Sequence, residues 1–490
     1  RNRDGFLMGV EFKRKEYIDN LPRWVIVDDT QKGQLQVKYR GETYLPFYGT
    51  QPRPSSSFEH IEDYEIYNRN YQALTAEQAA RYVNYLKRAI FYNYVSRTVG
   101  GLVGMATKEP LIVEVDTGLQ FAVNDIDGAG MSLSQQYKRC VELTVKHARC
   151  GLLVDYPPTD GEVTQEQINQ GIARSYCTLY KADQIINWGE ERVGADTRVN
   201  LVVLEECIQE RAENGYDLED VKQYRVLRLV DGLYELAVYD DKEDIVEGPF
   251  YPTDNSGNRL NFIPFQFVGA INNDVHIDES TVYDISSLNI GHYINSADYE
   301  NSAWLCGQPM PWISGVDQNW TRENAGLNLG SGSIVPVPAG ESFGVVQTQP
   351  NSQSYEAMQH KQTQMIALGA KMISDQSFSS ATEAAINNQS ETSYLQSVID
   401  NVTNAYSKVL DWMGLFEGAN VEEFKNPTDL TMFMADPQML AQMVASWQTG
   451  LISKEDVRDY QRKIGVLDRT NEEIDDLVEM DDSGINLDGE

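Results

Sequence analysis

The sequence predicts an α+β protein with unusually long helices in its C-terminal third. Residues 100–270 alternate helix-capping motifs with apolar segments of strand length. Segments 351–374 and 381–416 carry apolar residues at mostly helical spacing. At about 1.5 Å per residue they would extend over roughly 36 Å and 50 Å. Helices of this length favour an elongated subunit that packs against copies of itself over a compact enzyme.

Local motifs place the remaining elements. The Tyr-, Arg- and Pro-rich residues 1–73 predict extended arms and a few strands. Capping boxes at 75–78 and 132–135 begin two helices, the first running to Gly100-Gly101. Asp231-Gly232 predicts a hairpin turn. Further strands are predicted at 110–115, 151–155, 333–337 and 343–346, and further helices from 164, at 278–305, 437–448 and 454–464.

A short polar break separates the two longest predicted helices. It comprises residues 375–380 and is followed by a capping box, 380–383, in which Ser380 and Glu383 would satisfy two backbone amides. The second helix then presents Leu395, Val398 and Val402 on one stripe that continues to Met413. The stripe predicts core packing, whereas the break is a candidate functional loop.

Charge is large and unevenly distributed. The chain carries a net charge of −34, yet its first hundred residues hold fifteen Lys and Arg against twelve Asp and Glu, a net of +3. Residues 471–490 hold nine acidic groups and no basic one, which predicts a solvated tail. Such a chain is not expected to grip nucleic acid, because phosphate binding depends on Lys and Arg. An acidic wall past which DNA slides remains compatible with it, as does acidity that only maintains solubility.

Motifs for catalysis and metal binding are missing from the sequence. There is no P-loop, dinucleotide-binding fingerprint, G-x-S-x-G elbow or H-E-x-x-H, and the five histidines are scattered. The five cysteines form no C-x-x-C pair. Asp125–Gly128 lacks EF-hand spacing and predicts a turn. No apolar run approaches 18 residues, so no membrane span is expected. We therefore predict no catalytic, cofactor-binding or metal-binding residues and no cofactor.

The order of the predicted parts resembles that of the portal proteins of tailed bacteriophages. A helix, a Gly- and Pro-rich insert, a second helix, a polar break, a long helix and a small helical end follow one another in residues 278–490. Local sequences carry the resemblance too: 283–298 resembles the start of a portal stem, 307–313 the entry to a clip, and Ala381–Ala385 the start of the helix behind a tunnel loop. The resemblance covers roughly residues 70–465, with 85–93 also fitting, and excludes the N-terminal arm and the acidic tail.

The resemblance implies an elongated portal-type subunit with an α/β wing, a long-helix stem, a small α/β clip, a tunnel loop and a helical crown. Such subunits form a ring, usually of twelve, at one capsid vertex, through which DNA is packaged and ejected. The implied partners are further copies of the chain, double-stranded DNA without sequence specificity, terminase, the major capsid protein and head-completion or tail adaptor proteins, with no membrane. The protein would be made in the host bacterial cytoplasm and reside in the virion. The implied domains are the wing (1–277), stem helix 1 (278–305), clip (306–350), stem helix 2 (351–374), tunnel loop (375–380), long wing helix (381–419) and crown with acidic tail (420–490).

The resemblance also singles out candidate site residues. Those of the DNA-facing tunnel loop are Asp375, Gln376, Ser377, Phe378, Ser379 and Ser380, although an ordinary helix connection is the alternative. His360, Lys361 and Lys371 are possible basic residues of the channel, or local and intersubunit ion-pair partners. Trp312, Trp320 and Arg322 are candidate clip contacts, because aromatic and Arg side chains dominate interface hot spots; the two Trp could equally be local core.

Two other classes of function remain open. The chain could be a different virion adaptor or scaffold protein. It could also be an acidic polysaccharide-degrading enzyme, which the 27 Tyr and 7 Trp would favour. Such an enzyme needs two carboxylates beside an aromatic cleft, and the sequence does not single out a pair.

Overall fold

A computed structural model describes most of the chain, and its fold is α+β. One compact unit, here the sheet unit, comprises Arg1–Phe12, Gly100–Glu279 and Ala370–Glu490; the other, the helical unit, comprises Lys13–Val99 and Ser280–Gly369. The described residues are 9–46, 76–157, 173–211, 215–307, 310–315, 317–323, 340, 342–346, 352–372, 394–428, 430, 443, 446, 453–463, 471 and 473–474.

The sheet unit contains a five-stranded antiparallel sheet in the order β4-β5-β6-β7-β8. A three-stranded sheet, β3-β2-β9, has β2 at its centre, and every residue of β2 is buried. A small pair, β1 with β12, completes the strands described in this unit. The bounds are β1 Ile112–Val115, β2 Arg149–Asp155, β3 Tyr176–Lys181, β4 Ile185–Val193, β5 Asp196–Arg211, β6 Leu218–Val230, β7 Leu233–Asp240, β8 Ile245–Phe250, β9 Phe265–Gly269 and β12 Val421–Lys425.

The predicted hairpin about Asp231-Gly232 is confirmed. These residues join β6 to β7 and have φ angles of 52° and 79°. Positive φ at both central positions is what the two-residue turn that matches strand twist requires, and Asp-Gly tolerates it. These two residues therefore determine the register in which β6 pairs with β7.

This unit includes a short helix, α5, Gln120–Asn124, and two longer helices that pack against its sheets. Helix α6, Leu133–His147, begins at the predicted capping box, in which Ser132 and Gln135 exchange side-chain-to-backbone hydrogen bonds. Helix α10, Tyr394–Glu417, packs on α6 and β9. Its predicted apolar stripe is buried, which confirms a core role for Leu395, Val398, Ile399, Val402, Ala405, Tyr406, Val409, Leu410 and Met413.

The helical unit is built around α7, Thr281–Cys306, the helix predicted at 278–305. Tyr293 and Ala297 on α7 meet Val37, Leu45 and Phe91 in one apolar cluster. The remaining helices with residues in this unit are α1 Lys15–Lys32, α2 Gln34–Tyr39, α3 Ala76–Arg88, α4 Tyr94–Ala106, α8 Gln318–Glu323 and α9 Gln353–Lys371, and its strands are β10 Met310–Ser314 and β11 Ser342–Val346.

The prediction of extended arms and strands in residues 1–73 is wrong for the described residues 9–46, which form α1 and α2. The apolar stripe of α1 contains buried polar residues, which conceals its helical periodicity. Asp29 is only 1% exposed and accepts hydrogen bonds from Arg40, Gln36 and Tyr44.

The single helix predicted from Thr75 to Gly101 is also wrong. Helix α3 ends at Arg88, and α4 begins at Tyr94. The buried side chain of Asn289 holds the break, because its amide donates to the Tyr92 carbonyl at 2.8 Å and its oxygen accepts from the Tyr94 amide at 3.1 Å. These bonds substitute for the helical pairing that residues 92–94 lack.

Several predictions lie outside the described residues. They are the helix starting at 164, the strand at 333–337, the capping box at 380–383, and most of the helix at 437–448 and of the acidic tail. The predicted helix at 454–464 is observed as α11, Lys454–Lys463. No described helix combines the length and the apolar character that crossing a membrane requires.

Candidate functional site

Helices α7 and α9 of the helical unit form an antiparallel pair. The Lys361 ammonium donates to Asn295 Oδ1 at 2.9 Å, and the Tyr299 and Tyr355 rings lie 5.7 Å apart. The contact at the higher residue number on α7 is made at the lower residue number on α9, so the two helices run antiparallel. A Cβ at Gly291 would lie 3.0 Å from Lys361 Cε, so this glycine makes room for the lysine side chain.

A small hairpin lies between these two helices in the chain. Strand β10 pairs antiparallel with β11, and Trp312 stands opposite Gly344. Trp312 covers this glycine so closely that a Cβ there would lie 2.7 Å from ring atoms. Trp312 and Phe343 are each 44% exposed. The hairpin therefore presents two aromatic side chains at its surface.

The predicted clip contacts differ in exposure. Trp312 and Arg322 are exposed, whereas Trp320 is half-buried in α8. The backbone amide of Trp320 donates to Asp317 Oδ1 at 2.8 Å, a bond typical of a helix start. Trp312 and Arg322 are thus accessible to a partner.

The predicted channel residues are only partly described. His360 is exposed on α9, while Lys361 is half-buried and bonded to Asn295. The side chain of Lys371 and the whole of the predicted tunnel loop, 375–380, lie outside the described residues. Lys361 therefore has a local partner, which is an amide and not the carboxylate that the sequence suggested.

Sequence reasoning missed a buried histidine in the helical unit. His292 on α7 is 2% exposed, and its ring centroid lies 5.4 Å from those of both Tyr92 and Tyr94 in edge-on contacts. Its Nδ1 has no hydrogen-bond partner among the described residues. Burial, with a contribution from the nearby Lys361 ammonium, lowers the pKa of His292 below its usual 6.5. In sequence it is one of five scattered histidines.

The neutral His292 makes the stability of the helical unit depend on pH. As the pH decreases through 6.5, the unfolded chain binds a proton at this residue more readily than the folded chain does. The free energy of unfolding therefore decreases as the pH decreases. We expect the urea midpoint to fall between pH 7.5 and pH 5 in the wild type and to fall less in His292→Gln. His360→Gln, at an exposed site, should retain the wild-type slope. A steeper loss in His292→Gln would contradict this role.

The sheet unit contains a buried ionic network. It joins Asp155 on β2 of the three-stranded sheet to Glu206 on β5 and Arg225 on β6 of the five-stranded sheet. Arg225 Nε donates to Glu206 Oε1 at 2.8 Å, and its Nη1 lies 3.5 Å from Asp155 Oδ2. Tyr180 donates to Glu206 at 2.5 Å and Tyr176 to Asp155 at 3.2 Å. Burial raises the pKa of Asp155, whereas for Glu206 the effect of burial is outweighed by Arg225 and the hydrogen bonds, and its pKa is lowered.

This network is relevant to the enzyme alternative, because it contains a closely spaced carboxylate pair. Asp155 and Glu206 each accept hydrogen bonds from tyrosine and share Arg225. The guanidinium and the two tyrosines satisfy both carboxylates from within the protein, as in a structural network. The contacts therefore favour a role in stability over general acid and base chemistry.

The segment Asp125–Gly128 is a turn, as predicted. Asp127 Oδ1 accepts from the amides of Ala129 and Met131 at 2.9 Å and 3.0 Å, and Arg174 pairs with Asp125. Its carboxylates are therefore used by the loop itself. Within the described residues no three His, Cys, Asp or Glu side chains are grouped as metal ligands would be.

Comparisons with known proteins find similarity at two levels. A family model described as a domain of unknown function (DUF4055) matches residues 281–417, which include the antiparallel helices and the hairpin. A chain in the virion of native gene transfer agent (GTA) particle aligns at 14% identity with a TM-score of 0.38, over 79% of this chain and 94% of that chain. A chain in the neck of empty GTA particle aligns at 14% identity and 0.37, with the same coverage. No curated protein matches. Both structural alignments are remote, and nothing about this chain's function is inferred from them.

Proposed function

We propose that this chain is the portal subunit of a tailed phage. It forms a ring, usually of twelve copies, at one capsid vertex, and double-stranded DNA passes through the ring during packaging and ejection without sequence-specific contact. Terminase docks on the ring during packaging, and head-completion or tail adaptor proteins bind it afterwards. The major capsid protein surrounds it, and the ring itself catalyses no reaction.

One observation carries the proposal: α7 and α9 form an antiparallel pair, and two strands from the chain between them, β10 and β11, pair with each other and expose aromatic side chains. A portal stem and clip, as the resemblance in sequence implies them, would account for this arrangement. The next described helix, α10, has a long buried stripe, as the helix behind a tunnel loop would have. The large negative charge agrees with a channel wall that repels phosphate over a Debye length of about 8 Å.

Removal of the chain from the phage that encodes it tests the proposal. Particles made without it should contain no DNA protected from nuclease, and the chain supplied from a plasmid should restore DNA filling. DNA-filled capsids without the chain would contradict a portal role. Filled capsids that lack only tails would indicate an adaptor protein instead.

A further inference from the structure

Part of the five-stranded sheet extends as a ribbon of two strands. Strand β4 pairs with β5 only as far as Leu204, and β7 pairs with β6 only from Gln223. Beyond these points β5 and β6 pair only with each other, out to Arg211 and Leu218. We call residues 207–211 and 215–221 the acidic ribbon. A ribbon of two strands is only marginally stable in water, so a surface that covers it would stabilise it.

The acidic ribbon combines negative charge with exposed apolar side chains. Tyr216 is 96% exposed, Leu218 58% and Ile208 37%. Glu210 stands directly opposite Glu219, and like charges in this position destabilise a strand pair. Opposite charge from another surface would remove this repulsion. The acidic residues of the ribbon are Glu210, Asp217, Glu219 and Asp220, against one basic residue, Arg211. Lys222, which stands opposite Cys207 at the base of the ribbon, pairs with Glu205 at 3.0 Å.

The helical unit has a surface with complementary properties. Leu35 and Tyr39 on α2 are 86% and 84% exposed, the most exposed large apolar side chains described in this unit. Lys32, exposed, and Lys38, half-buried, lie beside them in sequence. The Lys38 ammonium donates to the Lys87 carbonyl at 3.2 Å, and neither lysine has a carboxylate within ion-pair distance among the described residues. We call residues 32–39 the basic helix face. It belongs to the first hundred residues, which carry a net charge of +3 while the rest of the chain carries −37.

We infer that the acidic ribbon of one copy of this chain docks on the basic helix face of the next copy. Both surfaces pair exposed apolar side chains with charge, and the charges are opposite. Two copies at −34 each repel one another, so a contact between them needs local charge of opposite sign at close range. The inference rests on the proposed ring and names the contact that closes it.

This contact joins different surfaces on the two copies. An interface of this kind leaves one free ribbon and one free helix face at the ends of any open chain of subunits, and it forms a ring when the rotation between neighbours closes. It is therefore compatible with the cyclic assembly that the proposed ring requires. The exposed aromatic side chains Tyr39 and Tyr216 are of the residue type that dominates binding energy at interfaces.

Charge reversal on one surface tests the contact. We expect Glu210→Lys with Glu219→Lys to reduce the association constant of the chain by about tenfold or more, measured by sedimentation velocity and native mass spectrometry. The two new lysines face each other as the two glutamates did, so the pair still has like charges. The substitution is therefore not expected to change the stability of the ribbon itself. Asp241→Lys with Glu247→Lys is the matched control, because it changes net charge equally at two exposed positions, one in the turn between β7 and β8 and one on β8. The control should assemble better than the ribbon variant.

Reversal on the other surface completes the test. Lys32→Glu with Lys38→Glu should also reduce association, and Leu35→Ser with Tyr39→Ser should do so without a change of charge. An equimolar mixture of the ribbon variant and the lysine variant should associate again, because each altered surface then meets an altered partner. Circular dichroism and thermal melting of each variant check that it folds.

The outcomes separate the contact from the proposed function. Rings formed by both charge-reversed variants would overturn the contact and leave the ring itself intact. Loss of association in each variant without recovery in the mixture would show that the two surfaces do not face one another. A folded wild type that never associates would overturn the ring and the contact together.

Discussion

Replacing Arg225 with methionine is expected to lower the free energy of unfolding of the chain by about 3–5 kcal/mol, because it leaves two carboxylates without the charge that holds them. Arg225 contacts Glu206 at 2.8 Å and Asp155 at 3.5 Å, and both carboxylates lie largely buried between the sheets. Tyr180 and Gln223 donate to Glu206, but neither carries a positive charge. Urea denaturation followed by circular dichroism at pH 7 would measure the loss.

The ribbon offers a matched control for this prediction. Arg211 lies on β5 in the same sheet and is exposed, so Arg211→Met should change the free energy of unfolding by less than about 0.5 kcal/mol. Equal midpoints for the two variants would contradict a stabilising role for the network. A folded Arg225→Met variant with unchanged stability would also reopen the question of what the carboxylate pair does.

The second large effect is expected at Phe378, in the proposed tunnel loop. We expect Phe378→Ala to leave assembly of the chain unchanged and to reduce the yield of DNA-filled particles by about tenfold, which corresponds to ~1.4 kcal/mol in a limiting barrier. An aromatic ring at the narrowest part of a channel would press on the DNA backbone or pack on the neighbouring loop. Nuclease-protected DNA per particle, measured beside particle counts from electron microscopy, gives the result.

A second phenylalanine provides the comparison. Phe12 is 39% exposed and lies outside every proposed contact, so Phe12→Ala should fill particles normally. Normal DNA filling in Phe378→Ala would remove the tunnel-loop assignment. Failure of that variant to assemble would instead give residues 375–380 a structural role as a helix connection.

Local signals in the sequence predicted the elements whose structure depends on near neighbours. The capping box Ser132–Gln135 and the turn Asp231-Gly232 each place a helix or hairpin from residues within four positions. The stripe of α10 was equally clear, since its apolar spacing is uninterrupted over the described helix. These motifs also established the α+β class before any contact was known.

Elements that depend on distant partners were not predictable in the same way. Helix α1 buries Asp29 and Thr30 on its inner face, where they bond to Arg40 and Ser286. The spacing of apolar residues in the sequence does not reveal such polar partners. The break between α3 and α4 is held by Asn289, which lies 195 residues from Tyr94 in sequence.

The candidate site shows the same limit. Lys361 was predicted as a possible channel or ion-pair residue, and its amide partner, Asn295, is 66 residues away. His292 became distinctive only once Tyr92 and Tyr94 were placed against its ring. The sequence analysis did not predict the acidic ribbon, because its exposure depends on where β4 and β7 stop pairing.

The most direct test of the central claim is the mass and shape of the assembled wild-type chain. Native mass spectrometry combined with negative-stain imaging of the same sample would measure both. A portal subunit predicts a closed ring with a central hole, with a mass of about 665 kDa for twelve copies of the 55.4 kDa chain. A compact dimer or trimer without a hole would contradict the account.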